Sequence, residues 1–133
     1  MYEYKCEVTR VVDGDTCDCI LDLGFSIMHK CRVRLYGIDT PESRTRDLDE
    51  KARGKLASKF LEDSINNGKE IILKSELKDS KGKYGRVLGS IIVDGLDINK
   101  AMVANNLAVK YFGQSKSDVE AEHMVNRDIL IAE

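Results

Sequence analysis

Alternating apolar and polar positions predict three β-strands in the first third of the chain. Residues 4–12 alternate loosely and predict the first strand, which the turn sequence Asp13-Gly14-Asp15 separates from the second. In the second strand the apolar residues share one face, and Gly24 ends it. The third strand has one apolar and one basic face, because successive side chains of a strand point to opposite sides. The apolar faces comprise Cys17, Cys19, Leu21 and Leu23, then Ile27, Cys31, Val33 and Leu35; the basic face comprises Lys30, Arg32 and Arg34.

Helical spacing and further strands dominate the rest of the chain. Apolar residues recur every three or four positions across residues 48–65, which predicts an amphipathic helix with Asp47 as its cap. Segments 70–76 and 86–93 predict two strands. A second helix is predicted near 97–106, and Ser117 opens a capping box for a third that runs to about residue 131. This order predicts a β-rich α+β fold, namely a five-stranded Greek-key barrel of the OB type with three helices.

The length of 133 residues, without repeats or linkers, predicts a single domain over residues 1–133. There is no apolar run of signal-peptide or membrane-spanning length, so we expect a cytoplasmic protein without membrane contact. Four cysteines fall in predicted strands and form no C-x-x-C pair, which favours small buried hydrophobic residues over a zinc or redox site; disulfides stay an alternative. They are Cys6, Cys17, Cys19 and Cys31.

The formal net charge of −2 argues against a general nucleic-acid binder, but the basic residues are unevenly distributed. Residues 30–59 carry nine Lys and Arg against five Asp and Glu. A local site for a polyanion is therefore compatible with the sequence, although a solvated surface of mixed charge would account for the first helix equally well.

Three short segments concentrate carboxylates and arginines: 13–16, 34–42 and 83–86. Because they contain no histidine or cysteine, their ligands favour a hard cation such as Ca²⁺ or Mg²⁺ over zinc. Arginine forms two parallel hydrogen bonds to phosphate, which suits a phosphodiester substrate. Pro41 stiffens the middle segment and fixes the direction of its carboxylates. Taken singly, each segment is equally typical of a surface turn or an exposed strand charge.

Together, the segments DGDT, IDTPE and KYGR, with the order of strands and helices, resemble the staphylococcal-nuclease-like (thermonuclease) family over about residues 7–111. The resemblance implies that Asp15 and Asp39 are side-chain ligands of Ca²⁺ and that Thr40 contributes its backbone carbonyl. Other implied roles are Glu42 as general base, Arg34 and Arg86 as phosphate-binding catalytic residues, and Lys83 and Tyr84 as ligands of a terminal phosphate. Tyr111 is a candidate for stacking on a base, or else a rim aromatic.

On this resemblance we expect a calcium-dependent nuclease that hydrolyses DNA or RNA, single-stranded or frayed, to products with 3′-phosphates. No obligate protein partner is expected. The alternative is a non-catalytic OB-fold module that binds nucleic acid or a partner; the filled carboxylate and arginine positions and the scarcity of aromatic residues argue against it. His29 and His123 match no catalytic position and are expected to be ordinary strand and helix residues.

Overall fold

The computed structural model describes residues 2–76 and 87–132. This part of the chain contains eight strands and three helices. In chain order they are β1 (Glu3–Asp13), β2 (Thr16–Asp22), β3 (Met28–Leu35), β4 (Ile38–Asp39), α1 (Leu48–Asn66), β5 (Ile71–Ser75), β6 (Val87–Val93), β7 (Leu96–Asp97), α2 (Ile98–Ala104), β8 (Val109–Lys110) and α3 (Lys116–Ala132).

Five strands form a closed barrel in the order β3-β2-β1-β5-β6. Neighbouring strands are antiparallel, and a parallel pairing of β3 with β6, in which Val33 lies opposite Val87, closes the ring. The short β7 continues the sheet beyond β6, while β4 and β8 pair separately. This arrangement confirms the predicted β-rich α+β fold with a five-stranded OB-type barrel and three helices.

The barrel interior is filled by the alternate residues that the sequence pattern assigned to it. Cys17, Cys19 and Leu21 of β2 are buried, as are Val33 and Leu35 of β3. Ala57, Leu61 and Ile65 line one face of α1 and belong to the same apolar core. Since every second residue of a strand faces inward, the alternation was sufficient to predict these positions.

Two apolar residues predicted to lie on the strand faces lie outside the core. Leu23 and Ile27 flank the turn between β2 and β3, and both are exposed. The turn itself holds Phe25 and Ser26 at φ of 53° and 62°. The strands therefore end sooner than predicted, because the chain reverses within this apolar run.

The third helix begins one residue earlier than the predicted capping box. Ser115, rather than Ser117, caps it: its Oγ accepts a hydrogen bond from the Asp118 backbone N–H at 3.3 Å. Val119 and His123 are its buried residues, whereas Met124 is 39% exposed. The four cysteines are free thiols. No helix in the described part of the chain has the length and apolar character needed to cross a membrane.

Candidate active site

Asp15 occupies the tight turn between β1 and β2 and is fixed by two hydrogen bonds. Its Oδ1 accepts from the Thr16 hydroxyl at 3.0 Å, and its Oδ2 accepts from the Thr40 backbone N–H at 3.2 Å. The turn lies directly against α1, because a Cβ added to Gly14 would come within 2.6 Å of the Ala57 Cβ. The same Cβ would lie 3.1 Å from the Thr40 side chain, so glycine at this position lets the turn pack against both α1 and Thr40.

Arg34 lies near the end of β3, opposite Thr16 of β2. Its Nη2 is 3.5 Å from Asp15 Oδ2 and 3.7 Å from Asp39 Oδ1, and its Nη1 donates to the Leu35 carbonyl at 2.8 Å. The side chain is only 16% exposed. One guanidinium group thus lies between the two carboxylates that the resemblance assigns to a metal ion.

Asp39 is held by its backbone and by its side chain. Its backbone pairs with Val109 of β8, and its Oδ2 lies 2.9 Å from His123 Nε2 on α3. An ionised carboxylate only accepts hydrogen bonds, so Nε2 donates. From the sequence, His123 was expected to be an ordinary helix residue, and this contact with Asp39 was not foreseen. Its position four residues after Val119, on the same helical face, was the signal available in the sequence. His29 lies on β3, as expected, and is exposed.

Glu42 lies in the loop that connects β4 to α1. Its backbone N–H donates to Glu50 Oε2 at 3.1 Å. Partial desolvation raises the pKa of the Glu42 carboxyl, and the negative charges of nearby carboxylates raise this pKa further; these are Asp13, Asp15, Asp39 and Glu50. The loop rests on the backbone of α1, since a Cβ on Gly54 would be 2.6 Å from the Glu42 carbonyl oxygen.

A cavity of about 490 Å³ opens beside these residues, between the β4 loop and α3. Tyr111, which is 40% exposed, lies on it, and its backbone N–H donates to the Gly37 carbonyl at 2.8 Å. The cavity provides room for a substrate group beside the carboxylates. Its lining includes Asp39, Thr40, Glu42, Tyr111, Gln114, Lys116, Glu120 and His123.

The donor groups at this site are chemically suited to a hard cation. Asp15, Asp39 and the Thr40 backbone offer oxygen atoms, and the N–H of Thr40 already contacts Asp15. Among the described residues, no three His, Cys, Asp or Glu side chains are grouped so as to hold a metal ion. A cation here would therefore complete its coordination with main-chain and water oxygens, which Ca²⁺ accepts.

Three residues with predicted roles, Lys83, Tyr84 and Arg86, lie outside the described residues. Val87, the first residue of β6, pairs with Val33, the residue before Arg34. The structure thus brings together the predicted residues Asp15, Arg34, Asp39, Thr40, Glu42 and Tyr111, and adds His123.

Comparison with known proteins identifies similar chains among bacterial proteins. The chain is 37% identical over 118 residues to Endonuclease YhcR of Bacillus subtilis, covering 83% of this chain and 9% of that protein. It is 32% identical over 99 residues to Endonuclease YncB of Bacillus subtilis, covering 74% and 44%. It is 34% identical over 118 residues to Protein ParB of Escherichia coli, covering 82% and 58%. The chain thus spans less than two thirds of each of these relatives.

The model of the family described as "Staphylococcal nuclease homologue" matches residues 32–128. This match begins within β3 and continues through β5, β6, α1, α2 and most of α3, and it includes Arg34, Asp39, Thr40 and Glu42. Together with the closed barrel and the clustered carboxylates around one arginine, it shows that the chain belongs to the staphylococcal nuclease homologue family.

Proposed function

We propose that this domain is a calcium-dependent nuclease that hydrolyses phosphodiester bonds of DNA or RNA. The observation that carries the proposal is the Arg34 guanidinium, largely buried and placed between Asp15 and Asp39. Burying these charges together is costly for a purely structural purpose. It is useful where a cation and an arginine must face one phosphate, because both then neutralise its charge.

Asp15, Asp39 and the Thr40 carbonyl would hold the Ca²⁺ ion. When bound, this ion acts as a Lewis acid on a phosphate oxygen and orients water beside it. Arg34 would bind a phosphate oxygen and stabilise the negative charge that develops during attack. The family resemblance supplies Arg86 as the second arginine and Lys83 and Tyr84 as binders of a terminal phosphate.

Glu42 is the proposed general base. Its raised pKa makes the carboxylate a better proton acceptor than an isolated glutamate. It takes a proton from water as the water oxygen bonds to phosphorus, and the bond from phosphorus to the 5′ oxygen breaks. The departing 5′ oxygen gains a proton, and the other product retains a 3′-phosphate.

The substrate is proposed to be single-stranded or frayed DNA or RNA. Tyr111 lies on the cavity beside Asp39 and is 40% exposed, so a base splayed from its neighbours has room and an aromatic ring there. Two of the similar proteins are named endonucleases, which supports cleavage of nucleic acid by this domain as well.

The test is hydrolysis of denatured DNA in the presence of Ca²⁺, of Mg²⁺ or of a chelator. We expect cleavage with Ca²⁺, poor cleavage with Mg²⁺ and none with the chelator. Turnover should be lost in Glu42→Gln but not in Glu62→Gln, an exposed α1 residue outside the cavity lining. Identification of 3′-phosphate ends by a phosphatase assay would establish the bond broken. DNA binding without cleavage would instead favour the non-catalytic module.

A further inference from the structure

The contact between His123 and Asp39 joins the last helix to the centre of the candidate site. Nε2 and Oδ2 are 2.9 Å apart although the residues are separated by 84 positions in the chain. The His123 side chain is 11% exposed, and Val119 one turn before it is also buried. α3 therefore places a single hydrogen-bond donor on one oxygen of a carboxylate whose other oxygen faces Arg34.

This hydrogen bond is the ring's only polar contact within the described part of the chain. The Nδ1 atom of His123 is buried and has no hydrogen-bond partner among the described residues. A histidine that served only to attach α3 would gain more from two polar partners, because a buried polar atom without a partner is costly. The ring instead directs its one hydrogen bond to the Asp39 carboxylate.

The two oxygens of Asp39 have different partners. Oδ2 meets His123 and Oδ1 lies 3.7 Å from Arg34 Nη2. Without the histidine, the carboxylate could rotate and present both oxygens to the guanidinium, since arginine and carboxylate favour a paired, two-bond geometry. That rotation would remove a ligand oxygen from a cation and engage Arg34 away from phosphate.

We infer that His123 is a positioning residue, which holds the Asp39 carboxylate in the orientation that a bound Ca²⁺ ion requires. The inference rests on the proposed function, because it needs Asp39 to be a ligand. Hydrogen-bonding partners of metal ligands typically change metal affinity by about 10- to 100-fold when they are removed.

The test measures Ca²⁺ affinity of the full chain by isothermal titration calorimetry without substrate. His123→Asn has an amide too short to reach Asp39, and His123→Leu has no donor; we expect Ca²⁺ dissociation constants about 10- to 100-fold above wild type for both. His123→Gln places its amide nitrogen near the former Nε2 and should retain most of the affinity. Circular dichroism and thermal melting identify which variants are folded.

Asn126→Ala is the matched control. Asn126 also ties α3 to the rest of the domain, because its Nδ2 donates to the Ala108 carbonyl at 3.1 Å, but it does not contact Asp39. Its Ca²⁺ affinity should equal that of wild type. If Asn126→Ala weakened binding as much as folded His123→Asn or His123→Leu, docking of α3 would be the cause and the inference would be overturned.

The remaining outcomes separate this inference from the proposed function. If wild type bound Ca²⁺ and the folded donor-free variants bound it equally well, the positioning role would be refuted while the proposed function stood. If wild type showed no Ca²⁺ binding, the metal assignment itself would fail, and the role of His123 with it.

Discussion

Arg32 and Arg34 lie two residues apart on β3 and share one face by strand alternation, yet their surroundings differ. Arg32 has a side chain that is 48% exposed and pairs with Asp18 through a 2.8 Å contact. Arg34, nearer the end of the strand, is 16% exposed and lies between Asp15 and Asp39. The neighbouring carboxylates, rather than the residue type, therefore distinguish a surface ion pair from a candidate phosphate-binding group.

These two arginines give a matched test of the chemical step. Arg34→Lys loses the paired hydrogen bonds to phosphate, so we expect turnover on denatured DNA to fall about 100- to 1,000-fold, as for loss of one preorganised donor. Arg32→Lys should keep turnover near that of wild type, since exposed ion pairs contribute little. Steady-state kinetics at saturating Ca²⁺ measures both. Equal effects of the two substitutions would contradict the assignment of Arg34.

At the scale of elements, the start of α1 supports the loop that carries Glu42. Asp47 caps the helix by accepting from the backbone N–H groups of Asp49 and Glu50, as the sequence predicted. The helix then buries Gly54 under the loop, whereas Leu48 is 79% exposed. The loop backbone approaches so closely that α1 presents a glycine there in place of an apolar side chain.

Gly54→Ala tests this support. The new Cβ would lie 2.6 Å from the Glu42 carbonyl oxygen and 2.7 Å from that of Pro41, and backbone cannot move aside as a flexible side chain would. We expect a folded but less stable protein with reduced turnover, because the loop shifts and takes Glu42 with it. Lys55→Ala is the control, since Lys55 is exposed on the same helix. Both are compared by urea unfolding and by DNA hydrolysis.

Asp94, in the turn between β6 and β7, holds the chain just before β5. The Asp94 carboxylate accepts hydrogen bonds from the backbone N–H groups of Glu70 at 2.8 Å and Lys69 at 3.0 Å. These two hydrogen bonds lower the pKa of Asp94 below its ordinary value of 3.8, and the bond from Glu70 contributes most. The folded state therefore gains stability above the unfolded pKa and loses it as the pH falls through the lower folded pKa.

We expect Asp94→Asn to be less stable than wild type at pH 7 and the difference to shrink as the pH falls below about 4, the ordinary range of an aspartate pKa. Asn is the suitable replacement because Asp94 has φ of 50°, a conformation that Asn tolerates. Urea unfolding at several pH values measures the difference. A constant difference across this range would show that the charge is not responsible.

At the scale of the whole molecule, the site is assembled from separate parts of the chain. The β1–β2 turn provides Asp15, β3 provides Arg34, the region after β4 provides Thr40 and Glu42, and α3 provides His123. Partial burial raises the pKa of Glu42, and the negative charges of the carboxylates that converge here raise it further. A cation that bridges these parts should stabilise the fold as well as the chemistry.

We therefore expect Ca²⁺ to raise the melting temperature and a chelator to reverse the effect. At a free Ca²⁺ concentration 100 times the dissociation constant, linkage gives about 2.7 kcal/mol of added stability. Mg²⁺ should give less, because it is reluctant to exchange water for a loose set of protein oxygens. Differential scanning calorimetry provides the measurement. Asp15→Asn should abolish the shift, whereas Asp18→Asn, on the surface beside Arg32, should leave it intact.

Features that depend on neighbouring residues could be predicted from the sequence, whereas features that depend on contacts between distant residues could not. Residues 13–16 and 34–42 form a recognisable pattern because the type and spacing of their side chains are written in short stretches of sequence. The alternation of apolar and polar residues in a strand is equally local, so it predicted the inward faces of β2 and β3. By contrast, the exposure of Leu48 and the burial of Gly54 depend on a loop packing across the helix.

By itself, the sequence determined the order of the five barrel strands and three helices, the inward faces of β2 and β3, the cap of α1 and the carboxylates and arginine around which the site forms, but not the short strands β4, β7 and β8. The tertiary structure alone decided that His123 meets Asp39 and that Arg34 lies between two carboxylates. The physical reason is that periodicity and capping act over a few residues and are visible in the sequence, whereas a contact between residues 84 positions apart exists only once barrel closure and the docking of α3 have fixed both backbones.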